Sequence, residues 1–131
     1  MTKRRWRLRS GFTLIELLIV VVIIGILASI AIPKFANTKG KARLAAIKSD
    51  LKNLATAQEA YMFDNGVYAD AIGKLNFATS GGVTVSISEA TAGGWSGKST
   101  HPLSAPLECA LYVGTAAPLA PATAEGVMHC Q

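Results

Sequence analysis

Glu16 stands inside an apolar run: from Leu17 to Ile32, Ser29 is the sole polar side chain. A charged group near mid-bilayer costs about 2.5–3.5 kcal/mol on insertion scales, and less near a helix end, so intramembrane carboxylates usually have a partner. Cleavage of the chain between Gly11 and Phe12 would create an α-amine four residues before Glu16. Amine and carboxylate would then neutralise one another, within one chain or between neighbouring copies.

Other reactive residues are few. Cys109 and Cys130 are the only cysteines. A disulfide between them would close a loop of about 20 residues, worth roughly 3 kcal/mol on the loop-entropy model. A zinc site from both cysteines with His101 and His129 is the rival. Neither cysteine belongs to a C-x₂₋₄-C pair and His129 adjoins Cys130, so the spacing favours the disulfide. The stretch Ala92-Gly93-Gly94-Trp95-Ser96-Gly97-Lys98-Ser99 fits the loose phosphate-loop pattern, with Ala in the first Gly place. That mechanism needs a strand before the loop and a helix after it. Thr100-His101-Pro102 follows instead, and proline disfavours helix at the residue before it. Trp95 reads as a core or strand aromatic. Asp64, Asp70, Glu89, Glu108 and Glu125 are scattered, without the alternating oxygen ligands of a calcium loop. Ser, His and Asp occur without a nucleophile motif. The expectation is no metal, no cofactor and no enzyme.

The elements that must position Glu16 follow from charge and hydropathy. The chain has 131 residues, half of them hydrophobic and 16% charged, with 13 Lys and Arg against 8 Asp and Glu. That length allows one small domain, and the low charge excludes a wholly disordered polar chain. A net charge of +5 would ordinarily suggest nucleic acid or an anionic membrane. Five of the basic residues, Lys3, Arg4, Arg5, Arg7 and Arg9, lie in the first nine, and from Phe12 onward 8 basic residues face 8 acidic ones. The basicity therefore belongs to a leader, residues 1–11.

From Phe12 to Pro33 is 22 residues, about 33 Å as a helix and enough for roughly 30 Å of bilayer hydrocarbon. Ser29-Ile30-Ala31 offers a signal-peptidase alternative, but Glu16 would sit in the core that such a signal keeps apolar. Lys34, Lys39, Lys41 and Arg43 follow the span, so positive-inside counting leaves a thin margin. The cysteines decide orientation, because a disulfide needs an oxidising compartment. The orientation expected is an N-terminus in the cytoplasm and a C-terminal half outside.

Past Pro33 the pattern turns amphipathic. Leu44, Ile47, Leu51, Leu54 and Tyr61 form one stripe, with Gln58 as the polar break. Lys41, Arg43, Lys48, Asp50, Lys52 and Glu59 occupy other faces. Asp64-Asn65-Gly66 is a helix stop, so one helix is predicted from about Phe12 to Phe63, as a membrane half (12–35) and an amphipathic half (36–65). Pro33, Gly25 and Gly40 weaken it locally. Residues 66–131 form a head with short strands at Val83–Ser88, Gly93–Thr100, Leu107–Val113 and Gly126–Cys130. The fold class is α+β: a long N-terminal helix packed on a small antiparallel sheet.

Gly11-Phe12-Thr13-Leu14-Ile15-Glu16-Leu17 after a short basic leader resembles the class III signal of type IV pilins and of the pseudopilins of type II secretion. The resemblance is near-complete from Ser10 to about Phe35, looser to about Ala69, and beyond that general. It implies cleavage after Gly11 by a membrane prepilin peptidase, N-methylation of Phe12, and pairing of Glu16 with the Phe12 amine of an adjacent subunit. It also implies unwinding of the Gly25–Pro33 stretch on filament assembly, where the residues alone suggest a mild kink. Pilins resemble this chain in having a disulfide-bounded C-terminal loop, here Gly114–Glu125, rich in Ala and Pro and read as a stiff surface excursion.

The function expected is that of a structural filament subunit serving motility, adhesion or DNA uptake. The alternative is a pseudopilin of a type II secretion system, and a soluble exported binding module is a third class. Partners implied are copies of itself, the peptidase, an inner-membrane platform with its cytoplasmic ATPase, and the inner membrane before assembly. Localisation is the inner membrane, then a surface pilus or a periplasm-spanning pseudopilus. Residues 34–63 carry net +4 and residues 64–131 net −3, which argues against direct DNA binding by the head. Basic stems attracting acidic heads of neighbouring copies is one reading of that asymmetry. A solvated helix face is the other, since surface pairs are worth only about 0–1 kcal/mol.

Overall fold

The computed structural model describes residues 11–104 and 107–131, so most of the basic leader lies outside the described residues. Its first element, α1 (Leu14–Asn65), is a single helix of 52 residues. It runs unbroken through Gly25, Pro33 and Gly40. Both ends fall two residues later than the expected Phe12–Phe63. At the C-terminus the Asn65 amide donates to the Tyr61 carbonyl at 2.9 Å. Gly66 then closes the helix, its N–H donating to Met62 O at 2.9 Å with φ at 72°, a left-handed value that glycine adopts without strain.

The chain divides into two compact units, one ending at Thr38 and the other Lys39–Gln131. In the first, the side chains from Leu14 to Ile32 are almost all exposed, and the stretch is long and apolar enough to cross a membrane. Ser29 hides its hydroxyl by donating to the Ile26 carbonyl at 2.7 Å, a bond that removes its polarity from the helix surface.

In the second unit a four-stranded antiparallel meander follows the helix: β1 (Thr84–Ala90), β2 (Gly94–Thr100), β3 (Glu108–Gly114) and the two-residue β4 (His129–Cys130), in that spatial order. All four expected strand regions are occupied. Pairings such as Ile87↔Gly97 and Gly97↔Leu111 set the register, with an irregularity between Ile87 and Glu89. Ile47, Leu51 and Leu54 of α1 pack into a core with Trp95, Cys109 and Leu111 of the sheet, while Leu44 and Tyr61 flank it half-buried.

The polar break in the stripe has a structural task. Gln58 is fully buried and clamps the loop after α1: its Nε2 donates to Ala69 O and its Oε1 accepts from Ala69 N–H, both at 2.8 Å. Buried amide and peptide thus satisfy one another. Asp50 corrects the sequence reading. It is buried rather than on a solvent face, because its carboxylate accepts from Ser80 N at 2.6 Å and Ser80 Oγ at 2.8 Å. The loop after β3 is a second correction. Ala116, Pro121 and Ala122 are buried, and Ala117 N–H donates to Glu89 of β1 at 3.0 Å. Gly126 N–H returns to Tyr112 O at 2.9 Å. The loop is held against the sheet instead of projecting from it.

Candidate functional site

The chemistry expected of this chain centres on the start of α1. Gly11, Phe12 and Thr13 are exposed and precede the helix; a Cβ on Gly11 would meet nothing within 4 Å. The Gly11–Phe12 peptide is thus open to approach. Thr13 and Glu16 form a reciprocal cap. Glu16 N–H donates to Thr13 Oγ1 at 3.2 Å. Glu16 Oε2 accepts from Thr13 N–H at 2.8 Å and from Thr13 Oγ1 at 2.7 Å. This is the capping box, in which two otherwise orphaned helix donors are satisfied, and a carboxylate here also suits the positive end of the helix dipole. Glu16 therefore has a partner inside its own chain. Its Oε1 accepts no bond among the described residues.

Thr13 escaped the sequence reading, although Thr-x-x-Glu ahead of an apolar run was there to be read. Gly25 and Pro33 lie downstream on the same helix, both exposed.

Cys109 and Cys130 are joined in a disulfide that ties β3 to β4, and Cys109 is fully buried. Both thiols are consumed, which leaves them no role as zinc ligands. His129 is exposed on β4 opposite Ala110. His101 Nδ1 accepts from Leu103 N–H at 3.1 Å.

The phosphate-loop likeness dissolves into packing. Most of that segment is β2, and its glycines stand where another chain segment passes close by. A Cβ on Gly94 would collide with Val113 O and with Ala116 N, and one on Gly97 would lie 2.9 Å from Ser86 O and 3.1 Å from Leu54 Cδ2. Trp95 is a fully buried core aromatic.

The head carboxylates are largely employed at home. Glu108 pairs with Lys98 at 2.8 Å and Asp70 with Lys74 at 2.7 Å. The Lys74 ammonium, hydrogen-bonded to Asp70, holds that carboxyl below the ordinary aspartate range. Glu125 accepts from Gly114 N–H at 2.8 Å, and Glu89 holds Ala117 as described. A groove of about 660 Å³ between α1 and residues 74–78 has Tyr61, Asp64 and Phe77 on its walls.

Comparison with known proteins bears on the same N-terminal stretch. Residues 6–32 match the family described as the prokaryotic N-terminal methylation motif. The type IV major pilin protein PilA of Myxococcus xanthus is 47% identical over 68 residues, 52% of this chain and 31% of that protein. The type II secretion system core protein G of Pseudomonas aeruginosa is 44% identical over 62 residues, 47% of this chain and 44% of that protein. Over this stretch the chain is similar to type IV pilins and to type II secretion pseudopilins. The type IV major fimbrial protein FimA of Dichelobacter nodosus, 47% identical over 57 residues, covers 44% of this pilin-like chain and is itself covered to 36%. The chain thus spans less than half the length of these pilin and pseudopilin relatives. The long helix followed by an antiparallel sheet is the pilin-like α+β architecture.

Proposed function

We propose that this chain is a structural subunit of a type IV pilus-like filament, polymerised through α1 after removal of residues 1–11. The observation that carries the proposal is Glu16: one carboxylate at the head of the otherwise apolar, exposed stretch Leu14–Ile32 of α1, with the Gly11–Phe12 bond open in front of it. A prepilin peptidase cuts that bond and methylates Phe12. The new amine then lies one helical turn from Glu16 and carries the charge that the carboxylate lacks. Before assembly the helix resides in the inner membrane, its N-terminus cytoplasmic. A membrane platform driven by a cytoplasmic ATPase extracts it into the polymer. Leu17–Ile32 then exchanges lipid for the same segments of neighbours, so apolar burial is roughly conserved. Packing and the Phe12–Glu16 contact decide register. The Gly25–Pro33 stretch, short of one backbone donor, is where the helix unwinds.

A pseudopilin of type II secretion is the second reading, because pilus and secretion proteins both stand among the relatives. The disulfide-closed C-terminal loop supports the pilus reading. Electron microscopy of cells with and without the chain tests the choice: loss of surface filaments is expected. Retained filaments with exported proteins trapped in the periplasm would transfer the chain to the secretion system. Mass spectrometry of the mature N-terminus should find N-methyl-Phe12; a product starting near Ile32 overturns both readings.

A further inference from the structure

The second compact unit is charge-polarised along its own helix. At the end where the chain enters it stand Lys39, Lys41 and Arg43, with no acid before Asp50. The short turn Pro102–Ser104 is fastened to that end by the Arg43 guanidinium, whose Nη1 donates to Leu103 O at 3.0 Å. Leu103 there is 70% exposed, among the most exposed large apolar side chains of the unit. At the other end, where Tyr68 N–H donates to Thr91 O, lie Asp64, Glu89 and Glu125; the one head acid near the basic end, Glu108 opposite Thr100, is neutralised by Lys98 at 2.8 Å. Cations beside an exposed leucine, against acids at the far end, is the composition of a surface that docks on anionic headgroups, with lysines at phosphate level and an apolar tip below them.

We infer that this basic, leucine-tipped end of the head docks on the anionic phospholipid surface of the membrane that holds the chain before assembly. The inference rests on the membrane reading of α1 given above. Three points carry it. The end begins at Lys39, only six residues past Pro33, so chain connectivity keeps it near the headgroup layer. The cations are on the side where positive-inside sorting disfavours them, and anionic headgroups give them a counter-charge there. Arg43 spends one donor on Leu103 and a guanidinium has five, so it orients the turn and still offers N–H groups to phosphate. The docked head is held by contacts that extraction must break, which makes release sensitive to lipid charge.

The test uses the full chain reconstituted in vesicles, either zwitterionic or containing about one-third phosphatidylglycerol. Leu103→Trp reports depth through quenching by spin-labelled lipid, with the parent chain's Trp6 and Trp95 as baseline. Quenching should be at least about twofold stronger in the anionic vesicles and fall to the zwitterionic level in high salt. The double reversal Lys39→Glu, Lys41→Glu should abolish the difference. In the unmodified chain, hydrogen exchange around Leu103 should slow by about twofold or more in anionic vesicles, a check that needs no probe. A chain that fails to float with vesicles overturns the membrane reading and this inference together. A chain that floats but shows equal quenching and exchange in both lipids, or keeps the difference after charge reversal, overturns this inference alone. A signal that appears only with added DNA assigns the surface to nucleic acid and also overturns it.

Discussion

Thr13 and Glu16 show how one carboxylate can serve two states of a chain. In the single subunit Glu16 closes the capping box through Oε2; in the proposed filament it also compensates the Phe12 amine. Two substitutions separate those roles. Glu16→Gln keeps a side chain able to complete the box but removes the charge. It should insert into membranes and start α1 as the parent does, yet polymerise at least about tenfold less, as should Glu16→Ala. Thr13→Ala removes the cap, at about 1 kcal/mol, and leaves the charge, so filaments should still form. Flotation measures insertion and sedimentation measures polymer; a Glu16→Gln chain that assembles normally would mean that the cap matters and the charge does not. Gln58 gives a second residue-scale prediction. Glu16 was legible because a carboxylate in an apolar run has no bland explanation. Gln58 was visible only as a blemish in a stripe, since its partner, the Ala69 peptide, is a backbone group eleven residues away. Gln58→Ala strands a buried N–H and C=O, and should cost about 2–4 kcal/mol. Urea unfolding of the chain in detergent, followed by the fluorescence of buried Trp95, reads that loss.

At the scale of elements, local pattern carries the helix and the strands, and apart from the Thr13 cap it is long-range contact that sequence alone leaves hidden. Alternation in Val83–Ser88 and the helix stop at Asn65-Gly66 are properties of adjacent residues, and both are where they were expected. Charge usually goes to solvent, which by sequence puts Asp50 on an exposed face; a loop thirty residues on supplies two donors that bring it inside. The Gly114–Glu125 loop read as exposed for the same reason. Its Ala and Pro composition says nothing of Glu89, whose carboxylate reaches across from β1 to catch Ala117. The strand pair β3–β4 depends on a covalent bond more than on its ladder, since β4 has only two residues. Replacing both Cys109 and Cys130 by Ser should therefore destabilise the unit by about 3 kcal/mol and expose the far end of the loop first. Unfolding midpoints of the parent with and without reductant should differ as parent and double variant do. A midpoint insensitive to reductant would show that the loop's hydrogen bonds to Glu89 and Tyr112 suffice without the disulfide.

For the whole molecule, the opposed charges of stem and head suggested that stacked copies attract one another electrostatically. The structure weakens that expectation without touching the formal count. Of the five head carboxylates, Asp70 and Glu108 already sit against lysines. Glu89 and Glu125 accept from backbone N–H groups, where they keep their charge but are fixed in orientation by their own chain. Asp64 remains. Lys48 and Lys52 are exposed on α1, and neither forms a salt bridge among the described residues. Exposed charges facing across a solvated gap are screened within about 8 Å at physiological salt, and pairs that do form contribute only about 0–1 kcal/mol. By contrast, in the proposed filament every added copy would have to find a place for the Phe12 amine and the Glu16 carboxylate in an apolar setting, where an unpaired charge is far more costly. Register should then be set at the head of α1 and not along the stem. The double reversal Lys48→Glu, Lys52→Glu should leave filament yield at 0.15 M salt within about twofold of the parent, under conditions where Glu16→Ala abolishes it. Sedimented polymer, quantified for both variants across a salt series, makes the comparison. A collapse of the lysine variant that deepens as salt is lowered would restore stem-to-head attraction as an assembly force, and a salt-independent collapse would point instead to a direct packing role for those two side chains.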